Sequence, residues 1–212
     1  MVEQSDGTIP AVSSERPNAS DEPTTDDVPM SSDGLDAVTA AQRALRLLGL
    51  AREIERYVSA DGWDQNPRLF AVARTVDLVA LEPEIAEALG DDGLDPESFT
   101  PIEQETFDHE RDLDEVLATT TWPDEVVGAA IALERVMLPP SAEEALPDDP
   151  AALAAAAGQH PDRQDVRLVV VVLRDARRMC AIRLRSHDVD DEVLVGDALV
   201  PGLADALAAT LH

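Results

Sequence analysis

The stretch VRLVVVVLRDARRMCAIRLR, residues 166–185, decides the fold. Residues 166–173 form an almost continuous run of β-branched residues and Leu, which is typical of a central strand buried on both faces. Asp175, Ala176 and Arg177 can turn the chain, and residues 179–185 then alternate between apolar residues and arginines. The stretch therefore predicts a β-hairpin, and so short a turn requires antiparallel pairing.

Upstream of the hairpin, the chain carries a long helical pattern. Apolar residues recur at spacings of three and four from about residue 36 to residue 59, which predicts a helix with one apolar face. They are Val38, Ala41, Leu45, Leu48, Ala51, Ile54 and Val58. Leu47, Leu50 and Tyr57 widen that face, so the helix is expected to be covered on more than one side. Asp61 and Gly62 follow and are suited to end the helix.

The remaining segments alternate between helix and strand. Residues 68–74 predict a strand that runs into a helix over 75–80, and residues 126–138 predict a strand for which a helix is the competitor. Further helices are expected over 83–89, 112–119 and 150–157 and, after Gly196, on a Leu stripe from Leu199 to Leu211. This order predicts an α+β fold: residues 36–212 form a single domain with a mainly antiparallel sheet packed by helices.

The N-terminal residues differ in composition from that domain. Residues 1–35 hold eight acidic residues, one Arg and many Pro, Ser and Thr, with no recurring apolar position. Such a segment cannot bury enough apolar surface to offset its conformational entropy, so a disordered tail is expected. It is interpreted as a solubilising tail, with a partner-binding or phosphorylated tail as the alternative.

The overall charge excludes several classes of function. The chain has 44 acidic residues against 16 basic ones, all arginine, for a formal net charge of −28. This surface repels nucleic acids and anionic membranes, and no apolar run approaches the ~20 residues of a membrane span.

Without lysine or a glycine-rich phosphate loop, no cofactor is expected. The lone Cys180 and the absence of a signal peptide predict a cytoplasmic protein.

Charge is segregated along the sequence. Residues 81–115 carry 14 acids and one base, whereas residues 163–185 carry seven Arg and two Asp, a net of +5. One interpretation is that the basic hairpin pairs internally with the acidic segment or with other acids. The other is that it receives an acidic peptide, a carboxylate or a phosphate from outside.

The candidate site residues are drawn from this basic region. Arg174, Arg178, Arg183, Arg185 and His187 are the candidate binding residues for an anion or an acidic partner. Ser186, His187 and Asp188 have the residue types of a hydrolytic triad but are adjacent in sequence, so no catalytic residue is assigned. Asp188, Asp190 and Glu192 are weak candidates for a hard cation, and no metal site is assigned.

Several short strings resemble an uncharacterised actinobacterial protein family with no assigned activity. They are GWD at 62–64, PRLFA at 67–71, WP at 122–123, LPP at 138–140, RLRSHD at 183–188 and LVPGL at 199–203. The resemblance covers roughly residues 45–211. It implies a cytoplasmic protein from a GC-rich genome and carries no catalytic or binding residue over to this chain.

Two functions from different classes remain. The favoured one is a non-catalytic interaction or adaptor protein that docks a protein partner, or a second copy of itself, through the basic hairpin and the acidic loop. The alternative is an enzyme or binding protein for a small anionic metabolite, held by arginines near His187. The alternative predicts a concave pocket where Arg174, Arg183 or Arg185 converges with His187.

Overall fold

A single antiparallel sheet forms the centre of the molecule. The computed structural model describes residues 32–89, 95–105, 111–143, 147 and 149–212. Six strands lie in the order β2-β1-β3-β4-β5-β6, which confirms the α+β class with an antiparallel sheet. The strands are β1 (Arg68–Arg74), β2 (Phe99–Glu103), β3 (Gly128–Met137), β4 (Gln164–Leu173), β5 (Arg178–Leu184) and β6 (Leu194–Gly196).

Helices cover both faces of the sheet. The longest, α1, packs on one face, while α4 and α7 pack on the opposite face. The helices are α1 (Ser32–Ser59), α2 (Thr75–Leu81), α3 (Ala86–Leu89), α4 (Leu113–Thr119), α5 (Pro140–Glu143), α6 (Pro150–Gln159) and α7 (Pro201–Ala208). None of the helices in these ranges has the length and apolarity of a membrane span.

The predicted hairpin is confirmed as β4 and β5. Arg167 lies opposite Arg183 in the register, and the amide of Leu173 donates to the carbonyl of Arg177 at 2.9 Å. Ala176 has a φ of 68°, the left-handed region that closes a type I turn in a short hairpin. The turn therefore depends on a conformation that costs an alanine about 1 kcal/mol or more.

The segment at 126–138 is a strand, as predicted, and not the competing helix. β3 lies between β1 and β4 and is buried on both faces from Gly128 to Leu133. A Cβ at Gly128 would lie 2.5 Å from the carbonyl oxygen of Val172. The small residue at the start of β3 is therefore required by the close approach of β4.

The prediction of one apolar face along α1 is wrong for its first half. Every residue from 36 to 46 is exposed, including Val38 at 46% and Leu45 at 65%. The helix has 28 residues, about 42 Å at ~1.5 Å per residue, whereas the ten residues of β4 span about 33 Å. β4 is therefore about 9 Å shorter than the helix, so at least about six helix residues extend beyond the strand.

Two short edge strands differ from the sequence expectation. β2 lies inside the acidic segment that was expected to be mostly loop, and β6 occupies the residues before the last helix. Residues 194–196 pair with β5, and α7 begins at Pro201, within the segment expected to form the last helix. Of the predicted tail, residues 1–31 lie outside the described residues, and residues 32–35 belong to α1.

Candidate functional site

Three charged side chains lie side by side on neighbouring strands, on the face that α1 covers. Glu134 of β3 is opposite Arg167 of β4, which is opposite Arg183 of β5. Glu55 of α1 lies against the same row and contacts both arginines. Arg167, Arg183 and Glu55 are only 1%, 3% and 2% exposed. Charges buried this deeply must be compensated by partners.

Arg183 is surrounded by three carboxylates. Its Nε and Nη2 donate to the two carboxylate oxygens of Glu55, each at 2.7 Å. Its Nη1 donates to Asp188 at 3.2 Å, and its Nη2 also donates to Asp190 at 2.6 Å. The hydrogen bonds to Glu55 raise the pKa of Arg183, and Arg183 lowers the pKa of Asp190. This arginine therefore fixes α1 to β5 and to the segment that follows β5.

Arg167 contacts the loop that follows α1. Its Nη2 donates to the carbonyl of Gly62 and, at 3.0 Å, to Glu134. Its guanidinium lies 4.4 Å from the ring centre of Trp63, a cation–π contact. Its Nη1 is 3.8 Å from Glu55, and neither Nη1 nor Nε has a hydrogen-bond partner among the described residues. Charge and stacking therefore stabilise this arginine as much as hydrogen bonds do.

The Gly62-Trp63-Asp64 loop packs against these arginines because its backbone is left-handed at two positions. Gly62 and Asp64 have φ values of 84° and 66°. The amide of Asp64 donates to Glu134 at 2.8 Å. The indole Nε1 of Trp63 donates to Asp188 at 2.9 Å. Aspartate tolerates the left-handed region better than most residues, which suits this sequence to the turn.

Arg185 lies on the outer side of Trp63. It binds Asp64 in a bidentate pair at 2.6 and 2.7 Å, and its guanidinium lies 5.4 Å from the indole ring centre. Arg185 lowers the pKa of Asp64. We call the whole group the paired cluster. Its members are Glu55, Trp63, Asp64, Glu134, Arg167, Arg183, Arg185, Asp188 and Asp190. With three arginines and five carboxylates, it carries no surplus positive charge for an added anion.

His187 does not join these arginines in a pocket. Its ring is exposed, and Nδ1 lies 3.1 Å from the hydroxyl of Ser186. Arg183 is buried beneath α1, and Arg185 is paired with Asp64. A cavity of about 590 Å³ beside Arg185 has two arginines and two aspartates in its lining, and His187 is not part of that lining. The pocket that the metabolite alternative predicts is not formed by the described residues.

The weak cation candidates are committed to other contacts or lie apart. Asp188 and Asp190 bind Arg183, and Glu192 lies exposed in the short 3-10 turn after them. Across residues 32–212, within the ranges that the structure describes, no group of three or more His, Cys, Asp or Glu is arranged to hold a metal ion.

Arg174 and Arg178 lie toward the other end of the hairpin, about 23 Å from Arg167 and about 17 Å from Arg183 along their strands at ~3.3 Å per residue. Arg174 donates to four main-chain carbonyls, those of Trp122, Pro123, Val126 and Leu211. Arg178 binds Asp205 of α7 at 2.8 Å. The structure therefore separates these two predicted residues from Arg183, Arg185 and His187.

A cleft of about 630 Å³ lies between the first half of α1 and the β4–β5 turn, and we call it the turn cleft. Its apolar lining comes from α1, β5 and the start of α7. Its charged lining is Arg43, Arg177 and Arg178 against Asp197. The lining therefore holds more arginines than carboxylates, and each arginine makes a surface pair at the rim, Arg43 with Glu97, Arg177 with Asp175 and Arg178 with Asp205.

A second cleft of about 350 Å³ adjoins the turn cleft beside β1, and we call it the side cleft. Its apolar wall includes Phe99, Val127 and Leu173. Its charged lining consists of four arginines and two carboxylates: Arg43, Arg74, Arg174, Arg177, Glu97 and Asp175. The two clefts share Arg43 and Arg177.

The comparisons with known proteins give a family but no activity. The family model described as PPA1309-like protein matches residues 47–212, most of the chain. The chain belongs to this family. The match begins within α1 and covers every residue of the paired cluster, all six strands and α7. No curated protein matches the chain, and no solved structure matches it.

Sequence reasoning missed several residues of both regions of this PPA1309-like chain. Glu55, Trp63, Glu134 and Arg167 were not singled out as site residues, and neither were Arg43 and Arg74. A charged Arg167 inside an apolar strand signals a buried ion pair, because an unpaired charge there is too costly. Arg43 and Arg74 gave no such signal, since they lie on exposed surface far from the hairpin in sequence.

Cys180 is a core residue. Its side chain is fully buried beneath α7, and burial raises the pKa of its thiol. A raised pKa keeps the sulfur protonated, so it lacks the thiolate that a nucleophile or metal ligand needs.

Proposed function

We propose that the protein is a non-catalytic interaction protein that docks an acidic, amphipathic segment of a partner protein in the turn cleft. The observation that carries this proposal is an apolar cleft whose lining holds three arginines and one aspartate, in a chain of net charge −28. These arginines pair with surface carboxylates, and such pairs are weak enough for a partner's carboxylates to replace them. A local cationic site on an acidic surface favours a partner whose carboxylates match those arginines.

The cleft offers apolar contacts as well as charge. Ala40, Ala44 and Leu47 come from α1, and Met179 and Pro201 come from the opposite side. Small residues on the helix leave room for the side chains of an incoming segment. A helical partner segment would place apolar residues at spacings of three and four into this cleft and its carboxylates near the arginines.

The exposed half of α1 carries two further apolar side chains. Val38 and Leu45 have no cover from the described residues and lie on the side of the helix away from Ala40 and Leu47, which line the cleft. Helical segments in proteins are stabilised mainly by packing of an apolar face, which this half of α1 lacks within the chain. A partner segment that fills the turn cleft would supply such packing along the face that carries Ala40 and Ala44.

Because Arg183 is buried in the paired cluster, we place the docking surface at the turn of the hairpin. Docking through Arg183 or Arg185, as the sequence suggested, would require breaking their bonds to Glu55 and Asp64. At the turn, Arg177 and Arg178 pair with Asp175 and Asp205 on the surface, and these pairs cost less to exchange than the buried pair of Arg183 with Glu55. The acidic loop contributes at the margin of this surface, where Asp95 binds Arg46 and Glu97 binds Arg43.

The source and location of the protein are part of the proposal. We infer an actinobacterial protein that acts in the cytoplasm. Exclusive use of arginine over lysine supports a GC-rich genome, and a single buried, unpaired Cys180 suits a reducing compartment. A second copy is the less favoured partner, because two chains of net charge −28 repel each other.

A photo-crosslinking residue at position 40, which lines the turn cleft and is exposed, tests the proposal in a lysate of the native organism. The expected product is a crosslink to one other protein, through a peptide that is acidic and has apolar residues at helical spacing. Arg178→Glu should lower the crosslink yield about tenfold. Arg135→Glu is the matched control, since Arg135 is exposed and makes no ion pair with any described residue.

Three results would contradict the proposal. They are crosslinks to basic peptides, crosslinks only between two copies of this chain, and a yield that Arg178→Glu and Arg135→Glu change equally. Each of them places the partner surface elsewhere or gives it a different chemistry.

A further inference from the structure

We propose that the side cleft binds a small anionic molecule that carries a carboxylate or phosphate group. This site lies outside the paired cluster and goes beyond partner docking, because Arg74, Glu97 and Phe99 line the side cleft and not the turn cleft. The sequence suggested a small-anion site near His187, whereas the side cleft lies at the opposite end of the sheet.

The side cleft has hydrogen-bond donors without partners. Nη1 of Arg177 is buried and has no hydrogen-bond partner among the described residues. Arg74 is exposed and forms no ion pair or side-chain hydrogen bond within the described part of the chain. A buried donor without a partner costs free energy, and an oxyanion between these two guanidinium groups would remove that cost.

The carboxylate of Glu97 lies near the two arginines that would bind the carboxylate of a ligand. Its two oxygens lie 3.4 Å from Arg43 and 3.9 Å from Arg177, both too long for strong pairs. Asp175 already occupies the opposite side of Arg177 at 2.8 Å. A ligand oxyanion could therefore displace Glu97 toward solvent and bind the same two arginines more closely.

The remaining lining limits the ligand to a small one. Arg174 adds positive charge, but its N–H groups already donate to main-chain carbonyls. Phe99, Val127 and Leu173 form an apolar wall. A volume of about 350 Å³ suits a compact metabolite with an anionic group and a short carbon body.

Calorimetric titration of the full-length chain with citrate and, separately, with inorganic phosphate tests this proposal. Chloride holds the ionic strength constant, because general screening also stabilises so acidic a protein. The expected result is saturable binding of at least one of the two, weakened at least fivefold by Arg74→Gln. Glu97→Gln should tighten binding by about threefold or more, since it removes the competing carboxylate.

Controls separate this site from charge effects and from partner docking. Arg52→Gln and Arg135→Gln make the same charge change at exposed arginines away from the cleft and should leave the affinity within twofold. Arg74→Gln should not change the crosslink yield from position 40, so the two proposals can fail separately. Absence of saturable binding by both anions, or equal loss in Arg74→Gln and Arg52→Gln, would overturn the inference.

Discussion

The two ends of the β4–β5 hairpin use the same residue type for opposite purposes. At the strand ends, Arg167, Arg183 and Arg185 meet five carboxylates and an indole ring, and two of these arginines are almost fully buried. At the turn, Arg177 and Arg178 make surface pairs with Asp175 and Asp205, beside clefts whose linings hold more arginines than carboxylates. Local charge balance and burial, and not the net charge of the segment, determine which arginines stabilise the fold.

The largest expected effect is the loss of a buried charge partner in the paired cluster. Arg183→Ala leaves Glu55 buried without its bidentate partner, which should lower the free energy of unfolding by about 3–5 kcal/mol. Arg178→Ala, at the turn end, removes a surface pair and should cost under about 1 kcal/mol. Urea unfolding monitored by circular dichroism measures both variants.

A double variant sharpens this contrast. Glu55→Leu combined with Arg183→Met replaces the pair with apolar residues of similar volume and should recover at least half of the loss. If Arg183→Ala and Arg178→Ala cost the same, the paired cluster does not stabilise the fold as described.

A smaller effect is expected from the indole ring that lies between two arginines. Trp63→Leu removes stacking against Arg167 and Arg185 and the hydrogen bond to Asp188. We expect a loss of about 1–2 kcal/mol in urea unfolding. Trp63→Phe is a suitable control, because it keeps an aromatic ring between the two arginines and removes the hydrogen bond to Asp188. It should cost less than Trp63→Leu, and an equal loss in both variants would argue against stacking of the arginines on this ring.

At the turn end, the backbone offers a stabilising change. Ala176 has a φ of 68°, which glycine adopts without steric cost. Ala176→Gly should therefore raise the free energy of unfolding by about 0.5–1 kcal/mol. Thermal unfolding would show a higher midpoint, whereas a lower midpoint would mean that the turn does not adopt this conformation in solution.

The smallest effect is the pH dependence of the outer pair. Arg185 lowers the pKa of Asp64 below its ordinary value of 3.8, so this pair stabilises the fold above that pH. The stabilisation is lost as the pH falls through the lowered pKa. The difference in stability between the native chain and Asp64→Asn should thus be constant at pH 5–7 and shrink below about pH 4. A difference that grows on acidification would contradict this sign.

The periodicity of apolar residues predicted the helices and strands but not which of them contact each other. The apolar run of β4 and the alternation of β5 predicted the hairpin, because side-chain alternation is a local property of a strand. The exposure of Val38 and Leu45 could not be predicted, since it depends on how far the sheet extends beneath α1. The pairing of Arg183 with Glu55, 128 residues apart, depends on the docking of α1 and leaves no local pattern.

The division of the arginines can be measured directly by nuclear magnetic resonance of their Nε–H groups during a citrate titration at constant ionic strength. We predict that the Nε–H signals of Arg167 and Arg183 exchange slowly with water and do not shift. The signals of Arg43, Arg74 and Arg177 should exchange faster and shift together to saturation. Shifts at Arg183 with none at Arg74 and Arg177 would contradict the central claim, because they would place the available positive charge in the paired cluster.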